Sequence, residues 1–201
     1  MKRLGFWAGL LEASFLGLLF ALQTWRIAPT LAHSPFNLAL LACDALPLVL
    51  LFVRRPASSL SRSPADWLTA YAATAAPLLL APGGHALVSG AVGATLMALG
   101  LAVHIYAKLW LWRSFGLVAA NRGLQQGGPY RLVRHPLYLV NTVTQLGFLL
   151  LNPSLANVCI CGAGLGLQLV RLRAEERHLS TDPAYVAYMK AVPFRLAPGL
   201  F

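Results

Sequence analysis

LYLVNTVTQLGFLLLNPSLANVCICGAGLGLQLV, residues 137–170, contains no charged side chain. Two apolar runs, 137–151 and 155–170, lie on either side of the sequence Asn-Pro-Ser, which is typical of a turn. Each run approaches the length of about 20 residues that a membrane helix needs. The pattern therefore predicts a tight helical hairpin inside a membrane.

The composition of the whole chain agrees with this hairpin. Of the 201 residues, 58% are hydrophobic and only 11% are charged, whereas soluble domains carry about 25% charged residues. This excludes a water-soluble globule, and it also excludes a disordered chain. About six spans would use most of the length, so we expect one integral membrane domain, residues 1–201, of the all-α class.

The apolar runs predict a polytopic helical bundle of six spans: residues 5–22, 36–53, 66–81, 85–112, 137–151 and 155–170. With both termini in the cytoplasm, all of the 16 basic residues except Arg26 fall on the cytoplasmic side, as expected for membrane proteins. Topology and anionic lipid headgroups thus explain the net charge of +10 better than nucleic-acid binding does. His33 and His85 fall on the outer side, and the short loops suit a bacterial inner membrane as well as a reticulum membrane.

Polar residues concentrate in two stretches on the cytoplasmic side, 113–136 and 171–201. The first contains a Gly-Gly-Pro turn at 127–129 and ends at Pro136, which fixes the entry into the next helix. A helix N-terminus of this kind binds anionic groups through its free N–H donors. On spacing alone, a positively charged loop at the membrane surface is the simpler interpretation.

The second stretch continues the last span as a helix with the sequence RLRAEERHL, residues 171–179. Arg171 and Glu175 are four residues apart and share a face, whereas Glu176 points to another side. Because a hairpin brings its two ends together, this helix should meet residues 134–138 in space. The alternative is a solvated helix end with weak ion pairs.

These motifs occur together in a specific order. GPYRLVRHPLY at 128–138, the short Asn-Pro hairpin, Arg-x-x-x-Glu-Glu at 171–176 and a Tyr-x-x-Tyr tail resemble the isoprenylcysteine carboxyl methyltransferase family. Phospholipid N-methyltransferases and thiol methyltransferases resemble the same core. The similarity runs from about Trp110 to the C-terminus, and it divides the domain into N-terminal spans, 1–107, and a methyltransferase-like core, 108–201.

The resemblance implies methyl transfer from S-adenosylmethionine to a lipophilic or prenylated acceptor at the cytoplasmic face of the membrane, among membrane lipids and without a metal. The cofactor-binding residues that it implies are Arg122, Gly123, Leu124, Gln125, Tyr130, His135, Pro136, Leu137, Tyr138 and Glu175. Glu175 would bind the amino group of the cofactor. Arg171 would be the catalytic residue nearest the acceptor, where it would hold a carboxylate or developing charge. Arg122, Val140 and Asn141 depart from the pattern of many relatives.

Two other functions stay open. Membrane sterol reductases, which use NADPH, resemble the same C-terminal half, including the Val-Pro-Phe-Arg sequence of the tail at 192–195. A non-catalytic membrane protein, such as a small transporter, is the second alternative. Glu12 and Asp44 favour it because acids within spans mark ion pathways, although a role in helix packing is the simpler interpretation.

Several residues within the spans have plain structural interpretations. His104 and Lys108, near the cytoplasmic end of the fourth span, are expected to extend towards the membrane surface. Gly162 and Gly166 form a Gly-x-x-x-Gly face that predicts close helix packing. Trp110 is expected to anchor the chain at the interface.

Overall fold

A computed structural model describes residues 2–29 and 35–199, so His33 lies outside the described residues. The helices are α1 (Lys2–Ile27), α2 (Pro35–Val53), α3 (Pro64–Ala75), α4 (Gly90–Leu111), α5 (Pro136–Leu151), α6 (Leu155–Leu179) and α7 (Pro183–Ala191). Within the described ranges, the strands are two-residue segments, β1 (Ser59–Leu60) and β2 (Ala120–Asn121), which pair antiparallel. The predicted all-α membrane fold is confirmed.

The helices differ from the predicted spans in their bounds, and the third predicted span, 66–81, is divided. Among the described residues, three helices are long and apolar enough to cross a membrane, Gly5–Ile27, Gly90–Ser114 and Leu155–Leu179, and Asn37–Val53 and Pro136–Leu151 are shorter apolar helices. α3 ends at Ala75 and a 3-10 helix, Ala76–Leu79, follows it. Pro77 explains the change, because proline cannot donate the next α-helical hydrogen bond. The count of six spans stays a prediction.

The hairpin between α5 and α6 forms as predicted. Ser154 caps the N-terminus of α6, where its hydroxyl accepts a hydrogen bond from the Asn157 backbone N–H at 3.1 Å. Asn157 is buried, and its side-chain amide donates to the carbonyls of Asn152 and Ala81, both at 2.8 Å. These hydrogen bonds fix the turn from both sides. At its other end, α6 continues beyond residue 170 to Leu179, as expected.

Glycines set the approach of α4 to α5. A Cβ atom at Gly100 would overlap the side chain of Thr144, and a Cβ atom at Gly147 would lie 3.1 Å from Leu96 Cβ. Small residues of this kind allow close packing of membrane helices, where the hydrophobic effect between helices is weak. Among the described elements, α4 and α5 consequently make the most extensive contact.

The expected packing at Gly162 and Gly166 is wrong. No atom of the described residues lies within 4 Å of where their Cβ atoms would stand. α6 instead turns Gly164 towards the preceding helices, where its Cβ position is 3.7 Å from Ala76 Cβ. Residues 162 and 166 are each two positions from residue 164, which corresponds to about 200° of rotation around the helix. Because Gly164 is on the packed face, Gly162 and Gly166 are on the opposite face.

Two buried charged side chains, Glu12 and Lys108, connect separate parts of the chain. Glu12 is fully buried, accepts a hydrogen bond from Arg54, and accepts the Val118 backbone N–H at 3.1 Å. Lys108 is only 5% exposed, and its ammonium donates to the Cys43 carbonyl at 2.7 Å. The expectation that Lys108 extends to the membrane surface is therefore wrong: α2 offers it a nearer acceptor.

The α4–α5 contact gives a testable prediction about stability. Gly100→Leu would force a side chain into Thr144, and overpacking of this kind costs about 1–3 kcal/mol of unfolding free energy. We expect a lower thermal midpoint for the detergent-solubilised variant. Gly162→Leu is the matched control and should leave the midpoint close to that of the wild type; an equal loss in both variants would contradict the described interface.

Candidate functional site

The two predicted motifs meet at the open end of the α5–α6 hairpin, opposite its turn. Tyr138, in the first turn of α5, donates its hydroxyl proton to Glu175 Oε1 on α6 at 2.6 Å. One residue further on α6, Glu176 Oε1 accepts from Arg134 Nε at 2.7 Å. The prediction that residues 134–138 and 171–176 come together is confirmed, and the alternative of a solvated helix end is wrong.

Glu175 lies at the centre of one group of side chains. Arg171 Nε is 3.3 Å from Glu175 Oε1, and the Arg171 guanidinium carbon is 5.4 Å from the centre of the Tyr138 ring. His135 Nδ1 stands 3.9 Å from the other carboxylate oxygen, Oε2. Among the described residues, Oε2 accepts no hydrogen bond. Its free lone pairs and the 21% exposure of the side chain leave Glu175 able to bind a cationic ligand.

Arg171 is held in place from the opposite side. Its Nη2 donates to the Leu117 carbonyl at 2.6 Å, and its Nη1 is 3.3 Å from the Thr74 hydroxyl. Leu117 belongs to the loop between α4 and α5, and Thr74 belongs to α3. The guanidinium therefore links three parts of the chain around one wall of the site.

Glu176 has a different role from its neighbour. It is 5% exposed and accepts from Arg134 Nε and Arg195 Nε, each at 2.7 Å, while His135 Nε2 is 3.2 Å away. Arg134 also donates to the carbonyls of Val192 and Pro193, and the Arg134 backbone N–H donates to Phe194. Glu176 thus fastens the C-terminal tail against the start of α5. The sequence placed Glu176 on a different side of the helix from Glu175, but it did not indicate that Glu176 binds the tail.

Tyr130 is fixed by contacts that the sequence did not reveal. Its carbonyl accepts the Tyr188 hydroxyl of α7 at 2.6 Å, and its own hydroxyl lies 3.4 Å from the Ala107 carbonyl. Burial, reinforced by the charge of Glu175, raises the pKa of Tyr130 above its usual range, and burial raises the pKa of Tyr188 to about 12. Both hydroxyls therefore remain protonated donors at physiological pH.

The glycines before Tyr130 give room to a tryptophan. A Cβ atom at Gly127 or Gly128 would overlap the ring of Trp110. Gly128 also has a φ of +55°, which favours glycine. Trp110 therefore covers the turn and also lies near the end of α4. The lack of space beside its ring explains the two glycines of the Gly-Gly-Pro sequence.

All of the predicted site residues line one cavity of about 730 Å³. They are Arg122, Gly123, Leu124, Gln125, Tyr130, His135, Pro136, Leu137, Tyr138, Arg171 and Glu175. The cavity also extends between α1, α2 and α4, where Leu16, Phe20 and Pro47 contribute apolar walls, and where Asp44 and His104 line it. Its size is within the range of about 300–1,000 Å³ that is usual for small-molecule sites.

Gln168 is a further residue of the cavity wall, and it was not identified from the sequence. Gln168 is 3% exposed and lines the cavity, and its Oε1 has no hydrogen-bond partner among the described residues. It lies three residues before Arg171 and therefore on the same helix face. That spacing was the signal that could have identified it.

Arg122 belongs to the loop between α4 and α5. It is 7% exposed and lines the cavity, and its guanidinium lies so close to Gly116 that a Cβ there would overlap it. Burial and the nearby charge of Arg54 lower the pKa of Arg122 to about 10, against the opposing effect of Glu12. Arg122 remains a cation at physiological pH.

Comparison with known proteins identifies the relatives of this region. Residues 86–182 match the model of the phospholipid methyltransferase family. The chain is 32% identical over 101 residues to the cobalt-zinc-cadmium resistance protein CzcN of Cupriavidus metallidurans, in an alignment that covers 49% of this chain and 46% of that protein. The chain therefore spans about half the length of this curated relative.

The family match confirms the resemblance to membrane methyltransferases. It begins before α4, earlier than the Trp110 start of the resemblance noted above, and it ends at the N-terminus of α7. The cavity residues from Arg122 to Glu175 fall inside the matched segment. Glu12 and Arg54, which hold the Val118 backbone, fall outside it.

The Glu176 cluster yields a prediction about the tail. Glu176→Gln would leave the buried Arg134 without a carboxylate, and removing one partner of a buried ion pair costs about 3–5 kcal/mol. We expect a lower thermal midpoint and faster proteolysis within residues 190–199. Arg173→Gln, which removes an exposed charge from the same helix, is the control. Unchanged protection of the tail in Glu176→Gln would refute the anchoring role.

Proposed function

We propose that the protein is an integral membrane methyltransferase that uses S-adenosylmethionine and a lipophilic acceptor. The observation that carries this proposal is the Glu175 carboxylate, which Tyr138 and Arg171 hold in a cavity within the segment that matches the phospholipid methyltransferase family. A methyltransferase needs a site for a cation next to a space for an apolar acceptor, and this cavity has both.

The residues present fit the proposed cofactor. A carboxylate with one unoccupied oxygen suits the cofactor's ammonium, because hydrogen bonds between ionised groups are about twice as strong as neutral ones. The rings of Tyr130 and Tyr138 and the side chains of Leu124 and Leu137 offer aromatic and apolar surface to adenine. Bound S-adenosylmethionine would supply a methyl group on sulfonium sulfur, which keeps the bonding electrons when the methyl group leaves.

The contribution of the protein is to orient the reacting groups and to exclude water. In-line methyl transfer depends on the relative position of donor and acceptor. Tyr138 and Arg171 fix Glu175, and the Leu117 carbonyl and Thr74 fix Arg171 in turn. The guanidinium of Arg171 would then face the acceptor and stabilise a carboxylate or developing negative charge there.

The acceptor would lie in the part of the cavity between α1, α2 and α4. Its walls there are largely apolar, and the helices that form them face the lipid with exposed side chains such as Leu18, Phe52 and Leu99. A lipophilic acceptor could enter sideways from the bilayer while the cofactor enters from the cytoplasmic side. Candidate acceptors are a prenylated cysteine carboxylate, a lipid amine and a thiol.

The other two functions receive less support from this site. A dinucleotide such as NADPH brings a pyrophosphate, which would leave the free oxygen of the Glu175 carboxylate in this cavity without a cationic partner. Of the two acids that favoured an ion pathway, Glu12 is fully buried in an ion pair with Arg54, and Asp44 lines the cavity. The pairing with Arg54 explains the presence of Glu12 in a span.

Calorimetric binding of S-adenosylhomocysteine to the full chain in detergent tests the function. We expect saturable binding to the wild type and at least about tenfold weaker binding to Glu175→Gln, because the variant loses a charge-assisted hydrogen bond. NADPH is titrated in parallel and should give no saturable heat. Arg173→Gln serves as the control and should bind S-adenosylhomocysteine as the wild type does.

The outcomes separate the three functions. Binding of NADPH with no binding of S-adenosylhomocysteine would assign the chain to the reductase class. Binding of neither compound would favour a non-catalytic membrane protein. Binding of S-adenosylhomocysteine that is unaffected by Glu175→Gln would keep the methyltransferase and refute the role of Glu175.

A further inference from the structure

Gln168 carries a buried amide that the chain leaves without a hydrogen-bond partner. The residue is 3% exposed and lines the cavity, and its Oε1 has no partner among the described residues. No hydrogen bond within the described ranges uses its Nε2 either. Buried polar groups are ordinarily hydrogen-bonded, because leaving such a bond unmade lowers stability. An uncommitted amide in a cavity wall therefore indicates a ligand that supplies the missing partner.

Two contacts define the register of the α5–α6 hairpin on either side of this amide. The Arg171 guanidinium carbon is 5.4 Å from the centre of the Tyr138 ring, and the Cβ position of Gly164 is 3.7 Å from Gln145 Oε1. The contacts are seven residues apart on each helix. Because both helices rise about 1.5 Å per residue, in opposite directions, they stay side by side in one register between the two contacts.

This register places Asn141 level with Gln168. Asn141 follows Tyr138 by three residues, and Gln168 precedes Arg171 by three. Both side chains line the same cavity, and no hydrogen bond within the described ranges includes the Asn141 side chain. Asn141 and Gln168 are called the amide pair below. The pair lies about one helical turn further from the open end of the hairpin than the contact between Tyr138 and Arg171.

The chemistry of the amide pair selects an uncharged ligand group. A carboxamide offers two N–H donors and a carbonyl acceptor, but it has no charge with which to balance an ion. Ions within membrane-spanning segments need a charged or strongly polar partner, and the nearest cation on the same helix, Arg171, is already paired with Glu175. A hydroxyl or an amide N–H can donate to one of the two carbonyls. The pair therefore fits a neutral group that carries such a donor.

The position of the amide pair assigns this group to the acceptor. Along α6, Gln168 and Glu175 lie on opposite sides of Arg171. Glu175 is the residue proposed to hold the cofactor, and Arg171 is the residue proposed to face the acceptor. Phe148, two turns beyond Asn141 on α5, also lines the cavity, so apolar surface for a hydrocarbon chain continues past the pair.

We infer that Asn141 and Gln168 form a hydrogen-bonding site for an uncharged O–H or N–H group of the lipophilic acceptor, close to the start of its hydrocarbon chain. This inference rests on the proposed function and adds a specificity-determining contact to it. The donor is a hydroxyl, as in a lipid alcohol, or an amide N–H, as in an N-alkyl amide.

The test compares probes with and without a donor. 1-Tetradecanol is paired with 1-fluorotetradecane, and N-tetradecylacetamide is paired with N-methyl-N-tetradecylacetamide. Binding to the full chain in detergent is measured in the presence of S-adenosylhomocysteine, and the ratio of the two affinities within a pair gives the preference for the donor. Partition of the probes into detergent is the same for every variant, so it cancels when the preferences of variants are compared.

Gln168→Met keeps the length of the side chain and removes its hydrogen-bonding groups. For at least one probe pair, we expect the preference to fall by at least about threefold, as for the loss of one neutral hydrogen bond. The thermal midpoint without probe should be unchanged or raised, because the chain itself loses no hydrogen bond. An amide with a merely structural role would instead lower the midpoint when it is replaced.

Asn141→Leu is an independent second variant and should lower the same preference. Thr142→Val is the matched control, because Thr142 is the next residue on α5 but donates its hydroxyl to the Tyr138 carbonyl at 3.0 Å and is not among the residues that line the cavity. It should keep the preference. Affinity for S-adenosylhomocysteine should change by less than about twofold in all three variants, since Glu175 is intact.

Four results would overturn the inference. The first is a wild type that binds neither donor probe, and the second is a preference that survives in both Gln168→Met and Asn141→Leu. The third is a lower thermal midpoint of Gln168→Met without probe, which would make the amide structural. The fourth is a loss of S-adenosylhomocysteine binding in Gln168→Met as large as the loss of preference, which would assign the amide to the cofactor.

Failure of the proposed function is distinct from these results, because the wild type would then not bind S-adenosylhomocysteine at all. Where the inference holds, the probe pair that shows the effect identifies the donor as a hydroxyl, an amide N–H or both.

Discussion

The arrangement of the site depends on one buried carboxylate, Glu176. A buried charge is tolerated only with nearby opposite charge and hydrogen bonds, and Glu176 finds these in Arg134, His135 and Arg195. The three partners come from the start of α5 and from the tail, so satisfying one charge fixes three segments of chain relative to each other. This constraint sets the rotation of α6 about its axis. Because consecutive helical residues are about 100° apart, it also directs Glu175 towards Tyr138 and the cavity.

The general architecture and the meeting of the two motifs could be predicted from the sequence, for definite physical reasons. An uncharged run interrupted by Asn-Pro-Ser has few alternatives to a hairpin in a membrane, and a hairpin must bring residues 134–138 and 171–176 together. The spacing of Arg171 and Glu175 likewise requires a shared face on any helix. These inferences depend only on local geometry, and the structure agrees with them.

Features that depend on the neighbouring helices could not be predicted in this way. Lys108 binds the Cys43 carbonyl of α2, and no pattern within α4 indicates that such an acceptor is near. The packing of glycines depends on which face a neighbour covers, so α6 packs through Gly164 while Gly162 and Gly166 meet no other residue of the described chain. The partners of Glu176 have the same origin, because they depend on the position of the tail.

The N-terminal half is part of the site even though the family match begins at residue 86. Glu12 on α1, which pairs with Arg54, accepts the Val118 N–H, and the pairing of β1 with β2 holds residues 120 and 121. Arg122 and Arg171 lie against Gly116 and Leu117, in the segment that joins α4 to these attachments. The matched segment contains the hairpin that we propose holds the cofactor, and the N-terminal half fixes the loop that also lines the cavity. Relatives can therefore share the matched hairpin and differ in the N-terminal half. Such an arrangement would let one methyl-transfer core serve acceptors of different chemistry.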